Sequence, residues 1–315
     1  MLIINYRIMK SNKANLFTAS WRVSEEDIKC AIENLKELGF EPVLQASLFD
    51  RYFGYAGTPQ NRAQELNECF ENKETSIIFG VMGGMGAVHT LEYLNYSLFK
   101  KSKKTIIGYS DITILLLAIH KNCKTMRCIH GPNIGQNILT QTRGRRISLK
   151  YLKKAIHKEN YKIKVHKKNI LVEKDEVRAP IYGGNLSLMV RTLGTPYEIN
   201  TDGKILFIEQ NIYTTQMIFD QLWQLKLAGK FDNIKGVISG NYRKAGKDLN
   251  EHLIEFFKDF DVPVILNQRI GHIHPNISIP LGEICVLNTQ KGFWEIRFDE
   301  DKNSSSKRII KKNKK

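Results

Sequence analysis

The stretch Lys104–Lys121, KTIIGYSDITILLLAIHK, sets an apolar run, a glycine, a serine and an amphipathic pattern in immediate succession. Lys104 to Tyr109 predicts a strand and Asp111 to Lys121 a helix, so Ser110 falls on the turn between them. A tight strand-to-helix turn lifts a serine hydroxyl clear of a sheet, and the N–H of Asp111 can stabilise an oxyanion there, which is the layout of a nucleophile elbow. The full G-x-S-x-G pattern is absent, because Ile112 stands where the second glycine would be. An ordinary helix N-cap is the other reading of Ser110, and this segment alone favours it.

Outward from this point, the residues from Asn15 to about His130 alternate short apolar runs with helical patterns, the rhythm of a parallel sheet with crossover helices. Strands are expected at Asn15–Ser20, Pro42–Ala46 and Ser76–Val81. Ser24 and Asp27 resemble a capping box opening a helix that Gly39 closes, and Thr58 with Pro59 opens another running to about Glu71. A further helix starts near Ala87. Between the third strand and that helix lies MGGMG, Met82–Gly86, whose amides can cradle a phosphate, form half of an oxyanion hole, or simply make a turn. It fits neither nucleotide-binding glycine pattern, so a nucleotide site is poorly supported.

The net charge of +16 is local. Between Arg143 and Lys168 eleven basic residues face Glu159 alone, a net of +10, and the tail from Asp301 has seven basic residues against one acid, a net of +6. The rest is balanced, and neither patch interleaves aromatics for base stacking, so a nucleic-acid partner is disfavoured. The five cysteines, Cys30, Cys69, Cys123, Cys128 and Cys285, are odd in number and show no C-x-x-C, which argues against a disulfide framework or zinc site and for a reducing, cytoplasmic setting. The opening MLIINYRIMKSNK is too short in apolar residues for a signal peptide, and no later run approaches a membrane span.

The second half reads as strands at Lys204–Glu209, Gly236–Gly240, Val262–Asn267, Glu283–Asn288 and Phe293–Phe298, with helices at Thr214–Leu227 and Asp248–Phe257. The expected organisation is an N-terminal α/β domain (13–142), a basic linker with a short surface helix (143–170), a C-terminal α+β domain (171–300) and a disordered basic tail (301–315). A serine nucleophile needs a base, and the base an acid to orient it. Glu209 ends the run KILFIE, where a carboxylate can point into a cleft or simply be exposed. His272, in RIGHIHPN, sits in a loop marked by Gly and Pro, beside His274. Metal binding by these two histidines is weakly supported, with no carboxylate or cysteine near in sequence. His89, His120, His130, His157, His166 and His252 have no such setting and are read as structural or exposed.

These segments resemble the LD-carboxypeptidase family of serine peptidases (muramoyltetrapeptide carboxypeptidases), which also contains the microcin C self-immunity peptidases. The similarity runs, in family order, through TASWRVSEEDI, GYAGTPQNRAQELNECF, MGGMG, GYSDIT, IHGP, GGNLSLMVRTLGTPY, GKILFIE, QLKLAG and GHIHPNISIPLGE, covering about residues 13–300. It implies a Rossmann- or flavodoxin-like N-terminal domain and a triad divided between domains, with Ser110 as nucleophile, His272 as base and then acid, and Glu209 orienting His272. It also implies an oxyanion hole from the amides of Gly84 and Asp111, and no metal or other cofactor. The implied activity is release of a terminal D-Ala from murein tetrapeptide in peptidoglycan recycling. The alternatives are cleavage of peptidyl or aminoacyl nucleotides, as in microcin immunity, and a catalytically silent anion- or nucleic-acid-binding protein on the same fold. A homodimer is compatible with the resemblance, though no surface can be named. Two positions depart from the family pattern. Murein-recycling members usually carry Arg directly before the paired glycines, where this chain has Met82, and the residue after the triad Glu is often acidic, where this chain has Gln210. For a residue reading the substrate carboxylate, Arg127, Arg191 and Arg269 are candidates by charge alone.

Overall fold

The computed structural model describes residues 11–135, 142–211, 213–243 and 245–298. The expectations for the N-terminal apolar stretch and for the basic tail fall on residues outside the described ones.

The first sheet is built from β1 (Lys13–Phe17), β2 (Glu41–Val43), β3 (Thr75–Gly80), β4 (Thr105–Gly108) and β5 (Arg127–His130), all parallel, in the order β5-β4-β3-β1-β2. Helices cover both faces of such a sheet, which is why β3 and β4 are apolar runs and not alternating ones. The connections follow local chemistry. In α1 (Glu25–Leu38), Ser24 and Asp27 form a reciprocal capping box, Gly39 closes the helix at φ +89°, and Ile28, Ala31, Leu35 and Leu38 make its buried stripe. In α2 (Pro59–Glu71), Thr58 caps and Pro59 takes the first turn. The helix expected from Ala87 is instead a 3₁₀ stretch, Ala87–Tyr93, followed by α3 (Tyr96–Lys101). Asn95 separates them, because its side chain accepts from the Leu98 N–H and starts a new helix. After Ser110–Ile112, also 3₁₀, α4 (Thr113–Asn122) is buried from Thr113 to Ile119.

The segment expected to be a linker is integral to the fold. It forms α5 (Arg143–His157), which buries Ser148, Leu149, Leu152, Ala155 and Ile156, and then β6 (Tyr161–Lys164). Charge density does not prevent this, because Arg143, Arg146, Lys150 and Lys153 are exposed on the side of the helix away from the apolar stripe that docks. Arg127 donates to the carbonyls of Ala155 and Ile156 at the helix end, where a cation suits the dipole.

Then come β7 (Ile170–Val172), β8 (Val177–Asn185), α6 (Leu186–Arg191), β9 (Ile205–Asn211), α7 (Thr215–Leu227), β10 (Gly236–Arg243), α8 (Leu249–Phe257), β11 (Val264–Ile265), β12 (Ile279–Pro280), β13 (Ile284–Asn288) and β14 (Phe293–Arg297). The second sheet has the order β6-β14-β13-β8-β9-β10-β11-β7, with a parallel centre from β8 to β11 and antiparallel flanks. The exception is β12, which pairs antiparallel with β5 and so joins the first sheet, Ile279 opposite His130. This pairing ties the loop before β12 to the half that carries Ser110. No helix among the described residues is long and apolar enough to cross a membrane.

Candidate active site

Ser110 leaves β4 with φ +61°, in the left-handed region that non-glycine residues avoid, a strain of about 1–2 kcal/mol. Neighbours hold it there. The Asn133 Oδ1 accepts from the Tyr109 N–H at 3.0 Å, and the buried Asp111 carboxylate accepts from Ser20 Oγ at 2.7 Å and from the Ala87 N–H at 2.8 Å. The bend is thus fastened to the segment after β1 and to the end of the glycine run. Burial pushes the Asp111 carboxyl up, against the hydrogen bonds from Ala87 and Ser20. A side chain at the place of the second elbow glycine fits for a steric reason. A Cβ on Gly80 or Gly108 would lie 2.1 or 2.6 Å from Ile112, so those two glycines make the room that Ile112 fills.

The glycine run passes beside the serine. A Cβ on Gly83 would lie 3.1 Å from Ser110 Oγ, and Gly84, at φ +124°, packs under the Trp21 ring. The glycine run therefore passes close beside Ser110.

Glu209, on β9, is wholly buried. Its Oε2 lies 2.8 Å from His272 Nδ1, and its Oε1 accepts from Asn185 Nδ2 at 3.1 Å. Asn185 stands opposite Glu209 in the β8–β9 register, so strand pairing alone brings them together. Desolvation pushes the Glu209 carboxyl up, but the His272 and His130 imidazoles outweigh it and hold it down at about 2. A carboxylate at Nδ1 fixes the Nδ1–H tautomer and leaves Nε2 as the basic nitrogen. Gly271 allows this approach, since at φ +93° it takes a conformation that suits glycine, and a Cβ there would lie 2.2 Å from Glu209 Oε2.

Ser110, Asp111, Gly84 and His272 line one cleft of about 870 Å³, with Glu209 behind it against His272. His274 lines the same cleft but not as part of a metal cluster: among the described residues no group of three or more His, Cys, Asp or Glu side chains is placed to hold a metal ion. Of the three arginines considered for the substrate carboxylate, Arg191 lines the cleft, whereas Arg127 is committed to α5 and Arg269 is not at the cleft wall. Sequence reasoning missed Arg145, which α5 carries to the cleft from inside the supposed linker, and the amides of Asn133 and Asn185, which brace the elbow and the carboxylate. GGNLS was a visible signal for Asn185; nothing local marks Asn133. Asp111 is the one acid among the described lining residues, so the cleft favours an anionic ligand.

The LD-carboxypeptidase N-terminal domain model matches residues 15–131, and the LD-carboxypeptidase C-terminal domain model matches residues 178–287. The chain is 30% identical over 303 residues to a probable murein peptide carboxypeptidase of Bacillus subtilis (strain 168), covering 91% of this chain and 92% of that one. It is 29% identical over 287 residues to the microcin C7 self-immunity protein MccF of Escherichia coli, covering 80% and 82%. A crystal structure of muramoyltetrapeptide carboxypeptidase from Oxalobacter formigenes shares the fold, with a TM-score of 0.81, 22% identity, and coverage of 91% of this chain and 99% of that one.

Proposed function

The chain belongs to the LD-carboxypeptidase family of serine peptidases, and from that membership and the cleft we propose that it removes a terminal D-Ala from murein tetrapeptide in the cytoplasm, by a Ser110–His272–Glu209 triad. The observation that carries the reading is the contact of 2.8 Å between His272 and the buried Glu209, in the wall of the cleft that also holds the strained Ser110. In this mechanism Ser110 Oγ attacks the carbonyl carbon before D-Ala while His272 Nε2 takes its proton. The oxyanion faces the amides of Gly84 and Asp111, which are preset and need no reorganisation as charge develops. His272 then gives its proton to the departing D-Ala nitrogen, leaving an acyl-enzyme. Water, deprotonated by the same imidazole, releases the tripeptide. Glu209 stays ionised throughout and stabilises the imidazolium.

The test is to incubate the full chain with L-Ala-D-Glu-meso-diaminopimelate-D-Ala and to follow free D-Ala by mass spectrometry. D-Ala is expected from the native chain and not from Ser110→Ala. An undiminished rate in the variant sinks the mechanism. A second reading, cleavage of a peptidyl or aminoacyl nucleotide, is favoured by one observation: Trp21, half exposed at the cleft, offers a face on which a base can stack. Turnover of an aminoacyl sulfamoyl nucleotide with the tetrapeptide left intact selects it.

A further inference from the structure

We propose that His130 is a positioning residue for this reaction, a second imidazole that holds Glu209 from the side opposite its bond to His272. The inference rests on the triad reading above. His130 ends β5, beside Gly108 of the elbow strand, and is wholly buried. Its Nε2 lies 3.8 Å from Glu209 Oε1, while His272 Nδ1 lies 2.8 Å from Oε2, so one carboxylate stands between two imidazoles. Neither ring nitrogen of His130 finds a hydrogen-bond partner among the described residues. Its surroundings are the edge-on rings of Tyr109 and Phe207, at 6.1 and 5.2 Å between centroids, and Gly184, where a Cβ would lie 3.5 Å from the ring.

Packing alone does not explain an imidazole here. An apolar ring of the same shape would fill this pocket without leaving two buried nitrogens unsatisfied. The distance of 3.8 Å is too long for a hydrogen bond, yet a tilt of the ring closes it, and catalytic hydrogen bonds are often long in the free enzyme and shorten in the complex. The Nε2–H tautomer is the one compatible with a facing carboxylate oxygen, and it makes His130 a donor. With Asn185 Nδ2 it then offers Oε1 two donors, which share the negative charge and fix the rotamer that presents Oε2 to His272. The other titratable groups near this carboxylate are Tyr242 on β10, its hydroxyl bonded to Ser239, and Tyr109, whose ring packs 4.7 Å from that of His272. No second carboxylate neighbours Glu209 among the described residues, so Glu209 is the charge that His130 addresses.

Without the His130 donor, charge concentrates on Oε2. The contact between Oε2 and His272 Nδ1 then changes, and with it the placement of the imidazole that takes the Ser110 proton. The test compares His130→Phe and His130→Gln with the native chain, since the Gln amide nitrogen lies near the position of imidazole Nε2. The expected result for His130→Phe is a kcat about 10- to 100-fold lower with KM unchanged, because His130 does not line the cleft. The acid limb of the kcat/KM profile should move, and the low-field proton resonance of His272 Nδ1–H should shift. His130→Gln should recover most of the activity and His130→Asn, whose amide is set back, should not. If His130→Phe does not fold, the comparison of Gln with Asn decides. Native kcat with an unmoved acid limb in His130→Phe, or equal activity of Gln and Asn, overturns the inference while Ser110→Ala remains inactive. Activity in Ser110→Ala overturns the triad itself.

Discussion

Gly271→Ala tests whether the His272 loop is held to Glu209 as tightly as the geometry requires. An alanine methyl would lie 2.2 Å from Glu209 Oε2, 2.6 Å from its Cγ and 2.7 Å from its Cβ, whereas ordinary contact begins at 3.4 Å. The carboxylate or the loop must therefore retreat by about 1 Å, and the oxygen being pushed is the one bonded to His272 at 2.8 Å. A misplacement of that size costs on the order of 100-fold in rate. The backbone adds its own strain, since alanine at φ +93° is disfavoured by about 1–2 kcal/mol. Gly203 separates the two effects: it has φ +70° with nothing within 4 Å of an added Cβ, so Gly203→Ala carries backbone strain alone. Both variants should lose a few °C of Tm, roughly 2 °C for each kcal/mol in a chain of this size. Only Gly271→Ala should lose kcat, by about 100-fold or more in D-Ala release followed by mass spectrometry. A Gly271→Ala enzyme with kcat within about threefold of the native chain would falsify the claim that this contact aligns the base.

Ser110→Gly should abolish turnover, by at least about 1,000-fold, while raising Tm by a few °C, because glycine accepts φ +61° without strain; a Tm below that of the native chain contradicts the strained elbow. Arg191→Gln should raise KM for the tetrapeptide about tenfold with kcat little changed, as expected of a cation that reads the substrate carboxylate outside the reacting bonds; an unchanged KM moves that role to Arg145. The Glu209 carboxyl is held at about 2 against an ordinary 4.5, so its contribution to stability is full above pH 4.5 and is lost as pH falls toward 2, on the order of 3 kcal/mol in all. Thermal scans between pH 6 and pH 2.5 should therefore show a shallower slope for Glu209→Gln than for the native chain, and parallel slopes count against the pairing. EDTA should leave the rate of D-Ala release unchanged, and inactivation by chelation would call for a metal instead.

What local chemistry decides was legible in the sequence, and what distant pairing decides was not. α1, α2 and α7 begin where Ser24, Thr58 and Thr214 cap them, because a cap is satisfied by amides two or three residues away. By contrast β8, VRAPIYGGN, lies inside the second sheet although Pro180 and two glycines weaken any local claim to be a strand; its pairing with β9 and β13 overrides propensity. The burial of α5 is hidden for a related reason. Charge density is a property of the linear sequence, whereas burial is decided around the helix, where Leu149, Leu152 and Ile156 share a face. At the site, Ser110, Glu209 and His272 stand at places a sequence marks: a strand-to-helix turn, a strand end, and a loop rich in Gly and Pro. Asn133, Asn185 and His130 lie against residues 24 to 79 positions away in sequence; GGNLS and IHGP flag the segments of Asn185 and His130 but not these contacts, and nothing local marks Asn133.

Gln210 and Met82 both bear on where charge lies in the site, Gln210 beside the buried Glu209 and Met82 on the cleft wall. Gln210 Oε1 accepts from Asn185 Nδ2 at 3.0 Å and from the Asn211 N–H at 2.9 Å, while its Nε2 donates to Gln221 Oε1 at 3.1 Å. An acid at this position would lose the donation to Gln221 and set a second carboxylate beside Glu209, competing for the same Asn185 amide. Two like charges so close raise the cost of ionising either. Gln210 thus keeps a single negative charge behind His272, the arrangement in which the imidazolium gains most. At Met82 the chain has no cation before the paired glycines, and the cations of the cleft come instead from α5, as Arg145, and from α6, as Arg191. An anionic substrate therefore meets its countercharge on the α5 and α6 side of the cleft. The glycine run keeps an apolar wall formed by Met82, Met85 and Trp21, and specificity divides between these two sides while the reacting groups stay fixed between them.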